Sequence, residues 1–254
     1  MDIFIDANRI RLSDDPKSFN HSKPTILFLH DSLGCIELWR NFPNKIKEVT
    51  NCNVLSYDRQ GYGKSDGFSQ TERDKDYLKT EANILAKLID ILRLKEVILF
   101  GHSDGGTIAL LTAALYPEKI KGIITEGAHV FVEKQTLQGV REAKIAYKTT
   151  NLKDKLTKYH YKNTEDVFIM WTDTWLSPQF IDWNIESYLS QIECNSLIIQ
   201  GENDEYGTLA QVHSIVQKTS GKSEPFIIPN IGHTPHKEAT ELVLQKTTNF
   251  VLNL

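Results

Sequence analysis

A glycine-flanked motif around Ser103 constrains the fold of this chain more than any other sequence feature. The motif, Gly-His-Ser-Asp-Gly at residues 101–105, directly follows an apolar run at residues 97–100 and precedes the helical spacing of Ile108 and Leu111. A sharp turn from a strand into a helix lifts the serine hydroxyl above the sheet, and the two glycines leave room for the crowded backbone. The segment therefore predicts an α/β architecture with a nucleophile at the carboxyl end of a strand.

Apolar runs and helical spacing alternate along the rest of the chain. Continuous β-branched runs predict strands that are buried on both faces, as in a parallel sheet that helices cover. The predicted strands span residues 25–29, 54–57, 97–100, 120–125, 197–200 and 226–228. The predicted fold class is α/β, with a mostly parallel, doubly wound sheet.

Further elements are predicted near both ends of the chain. Residues 3–5 and 9–12, joined through Asp6-Ala7-Asn8, have the pattern of a hairpin that leads into the sheet. Helical spacing predicts one long helix through Leu78, Ala82, Leu85, Ile89 and Leu92, and a last helix through Leu242, Gln245, Asn249 and Leu252.

One stretch, residues 130–189, shows no strand pattern. Helical spacing and aromatic residues dominate it, and Trp171 and Trp175 are four residues apart, so they share one helix face. A helical insertion between two late strands falls at the end of an open α/β sheet where ligands bind. We predict that residues 1–129 and 190–254 form the α/β core and that the inserted helices form a cap over the site.

Charge and composition narrow the possible partners. The 254 residues carry a formal net charge of −4, which offers no basic patch to nucleic acid or to an anionic membrane. No apolar run approaches the roughly 20 residues of a membrane span, and the first residues lack the pattern of a signal peptide. Cys35, Cys52 and Cys194 are scattered and odd in number. They favour free thiols and a reducing, cytoplasmic location.

Serine becomes a nucleophile when a histidine takes its proton and an acid orients that histidine. His233 follows a glycine in the loop after the last predicted strand, and we predict that it is the base. Asp204 follows the strand at residues 197–200 and is the predicted acid, which completes the order serine, acid, histidine. The other carboxylates that could take the role of the acid are Glu126, Glu202 and Glu205.

Two backbone N–H groups are predicted to hold the oxyanion that forms during attack on a carbonyl. One belongs to Asp104, at the start of the helix after the serine, and the other to Ser32, in the loop after residues 25–29. No metal ligand set is predicted. The side chains predicted to bind substrate are Asp104, Asp31, His129, Trp171 and Trp175.

Several motifs together resemble those of the α/β-hydrolase superfamily. They are residues 101–106, His30 with the turn after it, residues 58–65 (Asp-Arg-Gln-Gly-Tyr-Gly-Lys-Ser), residues 201–204, and Gly232-His233. Within the superfamily the chain is most similar to valacyclovirase-like (biphenyl-hydrolase-like) serine hydrolases, through residues 103–106, 59–63, 127–128 and 139–141. The resemblance implies a serine hydrolase of carboxylic esters or related small acyl substrates, with no cofactor.

Two aspartates bear on this resemblance. In valacyclovirase-like enzymes the residue that matches Asp104 binds the α-amino group of the substrate, which implies amino-acid esters; local donors could instead satisfy this carboxylate. Asp31 stands where the superfamily usually has glycine after the histidine of the oxyanion loop. Glycine permits a positive φ there, which aspartate also tolerates. A carboxylate at this place would oppose the oxyanion unless it points away or is paired.

Reactions other than ester hydrolysis use the same three catalytic groups. Lactone hydrolysis, as in an acyl-homoserine lactonase, and hydrolysis of carbon–carbon bonds in ring-cleavage products are both open alternatives. A protein of another class, which binds a ligand on this fold without turning it over, is disfavoured by an intact serine, acid and histidine. We predict a small-molecule substrate, no nucleic-acid or membrane partner, and a monomer or homodimer.

Overall fold

Eight strands form one sheet in the computed structural model, which describes residues 1–254. The order across the sheet is β1-β2-β4-β3-β5-β6-β7-β8; the pairs β1–β2 and β2–β4 are antiparallel and all the others are parallel. The predicted α/β fold class is confirmed. The strands are β1 (Asp2–Ile5), β2 (Asn8–Leu12), β3 (Thr25–Leu29), β4 (Asn53–Asp58), β5 (Val97–His102), β6 (Ile120–Glu126), β7 (Asn195–Gly201) and β8 (Ser223–Ile228).

Ten α-helices connect and cover these strands. They are α1 (Phe42–Thr50), α2 (Tyr77–Ile91), α3 (Asp104–Leu115), α4 (Lys134–Thr149), α5 (Leu152–His160), α6 (Thr164–Trp175), α7 (Glu186–Leu189), α8 (Leu209–Lys218), α9 (Pro235–Glu238) and α10 (Thr240–Leu252). Short 3-10 helices span Pro16–Ser18, Ile36–Trp39, Pro117–Lys119 and Tyr161–Asn163. No helix is both long and apolar enough to cross a membrane.

The parallel strands β3 to β7 are buried on both faces, as their continuous apolar runs predict, whereas the edge strand β8 is only partly buried. Alternate residues of β3 belong to different cores: Leu27 and Leu29 pack with α2 and α3, whereas Ile26 and Phe28 pack with α1 and α10. Strand side chains alternate between the two faces of a sheet, so a strand covered on both sides must be apolar at every position.

The N-terminal hairpin is confirmed, with a turn one residue shorter than predicted. Asn8 already pairs with Ile5, so Asp6 and Ala7 alone connect β1 to β2. Both have positive φ, +47° and +67°. This is the backbone of the two-residue turns that match the twist of paired strands.

The last helix is present, but the residues that predict it lie on its outer side. Leu242 is 52% exposed and Leu252 is 64% exposed. The buried side of α10 is instead formed by Val243, Thr247 and Val251. The exposed residues and the buried residues both repeat at helical spacing. Only the buried ones face the sheet, and Val243 and Val251 among them belong to the hydrophobic core between α10 and the sheet.

The stretch between β6 and β7 contains four helices, α4 to α7, and no strand beyond an isolated bridge between Phe131 and Asn184. Its helical character is as predicted. Its division from the rest of the chain at residues 130 and 189 stays a prediction. The three cysteines are free thiols, of which Cys35 and Cys52 are buried.

Candidate active site

Ser103 lies in a strained turn between β5 and α3. Its φ of +54° and ψ of −119° are values that residues with side chains seldom adopt, and such strain concentrates at functional sites. The neighbouring glycines are required by close approach: a Cβ on Gly101 would overlap the backbone of Gly105, and one on Gly105 would overlap Leu29. The turn predicted from the motif is therefore present, with Ser103 at its apex.

His233 and Asp204 are in direct contact. The two carboxylate oxygens of Asp204 each lie 2.9 Å from Nδ1 of His233, and Oδ1 also accepts the N–H groups of Tyr206 and Gly207. Burial lowers the pKa of His233, but the nearby carboxylates, Asp204 foremost and then Glu205 and Asp31, together outweigh burial and raise this pKa above its ordinary value. Burial raises the pKa of Asp204, but His233, together with His129 and the N–H of Tyr206, outweighs burial and lowers that pKa. Each partner therefore stabilises the charged form of the other.

The loop that carries His233 is anchored by other acids. Glu205 accepts the backbone N–H of His233 at 3.1 Å, and Glu238 accepts the N–H groups of Gly232 and Thr234. Nε2 of His233 makes no hydrogen bond within the protein. The structure thus fixes one side of the imidazole and leaves Nε2 available.

Nearly all the residues predicted for the site line one small cavity of about 70 Å³. Every predicted site residue except Asp204 lines it, and Asp204 lies directly behind His233. Four lining residues were not predicted: Leu33, Thr136, Val140 and Tyr206. Nowhere in the structure are three or more His, Cys, Asp or Glu side chains grouped so that they could hold a metal ion.

The two predicted oxyanion donors have free N–H groups. Asp104 is the first residue of α3, so its N–H has no partner within the helix. The N–H of Ser32 donates no hydrogen bond to any backbone carbonyl. Both residues line the same cavity as Ser103.

Asp31 does not need the conformational freedom of glycine. It is absent from the residues with positive φ, so the backbone reason for glycine at this position does not apply to this chain. Its carboxylate Oδ1 packs against Gly34 and lies 3.9 Å from Nδ1 of His102, while the residue also lines the cavity. The side chain is therefore directed toward His102 and is not in hydrogen-bond contact with it.

Glu126, the main alternative acid, contacts a different histidine. Its Oε2 lies 2.6 Å from Nδ1 of His236, and both side chains are buried. Burial raises the pKa of Glu126 to about 7 and lowers the pKa of His236 to about 3. Of the four carboxylates considered, Asp204 alone contacts the ring of His233.

The carboxylate of Asp104 has one local donor. The hydroxyl of Tyr77 donates to Oδ2 at 3.1 Å and accepts the indole N–H of Trp175 at 3.0 Å. No hydrogen bond within the protein reaches Oδ1. A role for Tyr77 in the site was not predicted from the sequence. Tyr77 is the first residue of α2 and adjoins its apolar stripe, where an aromatic residue is expected to belong to the hydrophobic core.

Comparisons with known proteins agree with this fold. A family model described as alpha/beta hydrolase fold matches residues 24–187. Over 193 residues the chain is 30% identical to Serine hydrolase BPHL of Mus musculus; the match covers 72% of this chain and 64% of that protein, so it spans slightly less than two thirds of this relative. It is 25% identical to 2-hydroxy-6-oxononadienedioate/2-hydroxy-6-oxononatrienedioate hydrolase 1 of Pseudomonas putida, over 90% of this chain and 88% of that protein. A carboxylesterase structure from Nitrososphaera gargenis has a TM-score of 0.80 at 15% identity and covers 100% of this chain and 99% of its own, which shows the fold alone.

Proposed function

This chain belongs to the α/β-hydrolase family, and from that premise we propose that it hydrolyses small carboxylic esters or related acyl substrates through Ser103. The observation that carries the proposal is the contact of His233 with Asp204, behind a cavity that Ser103 also lines. The cavity volume of about 70 Å³ is well below the roughly 300–1,000 Å³ of common ligand pockets, which favours small acyl groups.

The proposed reaction has two halves. The hydroxyl oxygen of Ser103 bonds to the substrate carbonyl while Nε2 of His233 takes its proton, and the N–H groups of Asp104 and Ser32 hold the oxyanion. The leaving alcohol departs with that proton and leaves an acyl-enzyme. Water then attacks the acyl-enzyme with His233 as base, which releases the acid and restores Ser103. Asp204 keeps the proton of His233 on Nδ1 throughout, so that Nε2 is free to accept.

The direct test is covalent labelling of Ser103 by a fluorophosphonate probe, together with turnover of p-nitrophenyl acetate. Ser103→Ala should abolish labelling, and it and His233→Ala should each lower kcat by at least about 10³-fold, because the members of such a triad act as a unit. Ser196→Ala, at a buried serine of β7 outside the cavity, is the matched control. Activity of Ser103→Ala within tenfold of wild type would refute the mechanism.

Amino-acid esters are a second candidate substrate class, because Oδ1 of Asp104 has no donor while the residue lines the cavity. A substrate ammonium group could supply that donor. The loss of one charge-assisted hydrogen bond in Asp104→Ala should lower kcat/KM about 10- to 150-fold for an amino-acid ester. The neutral ester of the same size should be affected far less. An equal loss on both esters would show that Asp104 only supports the local structure.

Two alternatives are separated from ester hydrolysis by assay. Lactones and ring-cleavage products would be turned over by the same residues, so acyl-homoserine lactones and a 2-hydroxy-6-oxo dienoate belong in the first substrate panel. A binding protein on this fold would label slowly and turn over none of them. A small-molecule substrate, a monomer or homodimer, and a cytoplasmic location with free thiols stay predictions.

A further inference from the structure

The peptide bond between Asp31 and Ser32 is held from behind by buried donors. The carbonyl oxygen of Asp31 accepts hydrogen bonds from Nη2 of Arg59 at 2.9 Å and from the N–H of Gly34 at 3.2 Å. It also lies 2.8 Å from Nδ1 of His30. One carbonyl in the loop beside Ser103 therefore has three neighbouring donors, and one of them carries a full positive charge.

The contacts of His30 define which of its nitrogens carries the proton. The backbone N–H of Arg59 donates to Nε2 of His30 at 3.1 Å, so Nε2 is the acceptor and the neutral ring carries its proton on Nδ1. Burial, followed by the charge of Arg59, lowers the pKa of His30 well below its ordinary value, which agrees with a neutral ring. Nδ1–H thus donates to the carbonyl of Asp31.

Planarity of the peptide then sets the direction of the next N–H. The chain has no cis peptide bond, and in a trans peptide the carbonyl and the following N–H point in opposite directions. Since the carbonyl of Asp31 is turned toward Arg59 and His30, the N–H of Ser32 points away from them. That N–H makes no hydrogen bond to the backbone, and Ser32 lines the cavity together with Ser103.

We propose that Arg59 and His30 are positioning residues that hold the Asp31–Ser32 peptide so that the Ser32 N–H faces the oxyanion. This inference rests on the function proposed above. Hydrogen bonds to a carbonyl polarise its peptide group, so the guanidinium also makes the Ser32 N–H a stronger donor. A donor fixed before the reaction stabilises the oxyanion without reorganisation at the moment of attack.

The strand arrangement explains how two distant residues reach one loop. β3 and β4 are parallel neighbours, with Phe28 opposite Ser56, so the segments that follow them begin at the same edge of the sheet. Arg59 is 1% exposed, and its hydrogen bonds from Nη2 both go to carbonyls of the oxyanion loop, those of His30 and Asp31. Its guanidinium also lies over the ring of Tyr62, 4.5 Å from the centroid.

The first test compares Arg59→Met with Arg73→Met. Arg73 is a matched control because its guanidinium lies over the same Tyr62 ring and bonds to that hydroxyl, without contact to the oxyanion loop. The probes are p-nitrophenyl acetate and a short alkyl trifluoromethyl ketone, whose adduct with serine places an oxyanion in the hole. Arg59→Met should lower kcat and weaken the ketone about 10²-fold, the effect of removing one oxyanion donor, while KM changes less than threefold. Arg73→Met should leave the ratio of ketone affinity to KM within threefold of wild type.

A second pair of variants at His30 keeps the inference testable if Arg59→Met does not fold. Asparagine can donate to the Asp31 carbonyl from the position of Nδ1, whereas glutamine places its amide at Nε2 and loses that donor. His30→Gln should therefore weaken the ketone more than His30→Asn. The inference is overturned if the two are equal, or if Arg59→Met affects the ketone no more than Arg73→Met.

An independent readout separates this inference from the proposed function. The amide ¹⁵N shift of Ser32 reports hydrogen bonding to the preceding carbonyl in the free protein, whether or not it turns over esters. Arg59→Met should move this shift and Arg73→Met should not. If Arg59→Met moves the shift but the protein hydrolyses no ester, the proposed function is refuted and the role of Arg59 in holding the Asp31–Ser32 peptide is retained. If the protein hydrolyses esters but the shift does not move, the role of Arg59 is refuted and the proposed function is retained.

Discussion

Replacing Asp204 by asparagine tests whether Asp204 is the acid that keeps the proton of His233 on Nδ1. Oδ1 of Asp204 accepts two backbone N–H groups, from Tyr206 and Gly207, so the carbonyl oxygen of an asparagine must occupy that position. Its NH₂ group then takes the place of Oδ2, 2.9 Å from Nδ1 of His233. The imidazole meets this donor with a bare Nδ1 and a proton on Nε2. A ring that kept its proton on Nδ1 could donate only to Oδ1, also 2.9 Å away, which already accepts two backbone N–H groups.

The wrong tautomer removes the base. With a proton on Nε2, His233 cannot accept the proton of Ser103, and the imidazolium loses its neighbouring carboxylate. We expect kcat for p-nitrophenyl acetate to fall by about 10³- to 10⁴-fold, or roughly 4–5.5 kcal/mol of transition-state stabilisation. Since the carboxylate raises the pKa of His233, its loss should also move the acidic limb of the kcat/KM profile to lower pH. Melting temperature checks that the fold survives.

Glu126→Gln is the matched comparison. Glu126 contacts His236 and not His233, so this substitution should lower kcat less than tenfold. A larger loss in Glu126→Gln than in Asp204→Asn would show that the acid has been assigned to the wrong carboxylate. An acidic limb that stays at the wild-type pH in Asp204→Asn would refute the electrostatic part of the reasoning.

Three further predictions follow from the same geometry. The cavity of about 70 Å³ should make kcat/KM for p-nitrophenyl acetate at least about tenfold higher than for the octanoate, and faster hydrolysis of the octanoate would contradict it. Gly127→Ala should lower kcat/KM at least about 10²-fold. The added Cβ would lie 2.8 Å from Cε1 of His233, at a φ of +56°, and displacing a catalytic group by about 1 Å costs about that much. The control is Gly67→Ala, whose Cβ would lie 3.4 Å from its nearest neighbour. Glu126 has a pKa of about 7 in the fold against 4.5 ordinarily, so between these pH values the folded chain holds a proton that the unfolded chain has lost, and stability falls as pH rises. Urea denaturation of wild type and Glu126→Gln at pH 5 and pH 8 should show a relative gain for the variant at pH 8; equal differences at both pH values would contradict it.

The parallel strands and the loops that carry Ser103, Asp204 and His233 were predictable because they depend on local pattern. Ser103, Asp204 and His233 each follow a continuous apolar run, and parallel strands bring their carboxyl ends to one edge. Contacts between segments that are distant in the chain produce no local sequence pattern, so they were not predicted. Nothing near Tyr77 in the sequence indicates that it joins Trp175 to Asp104, and Leu242 predicts the last helix from its exposed side.

The same limit applies to backbone conformation. The motif after His30 suggested a position that needs positive φ, yet Asp31 does not have one. Conversely, Arg40 and Tyr161 do have positive φ, at +54° each, although neither residue type predicts it. Such values are imposed by tertiary packing, which overrides what a residue tolerates alone. The sequence therefore identified which residues approach Ser103 more reliably than it identified their conformations.

Two buried pairs of histidine and carboxylate lie side by side in this fold, and their environments shift the pKa values of the two pairs in opposite directions. Asp204 accepts backbone N–H groups that favour its ionised form, and it raises the pKa of His233. Glu126 has an oxygen with no hydrogen-bond partner, while His236 packs against the ring of Trp39, 4.6 Å between centroids. Burial therefore raises the pKa of Glu126 and lowers that of His236, which favours a neutral pair. An imidazolium must form when a histidine takes the proton of Ser103. The environment of His233 stabilises that imidazolium, whereas the environment of His236 destabilises it. His236 and Glu126 therefore could not replace His233 and Asp204 as base and acid.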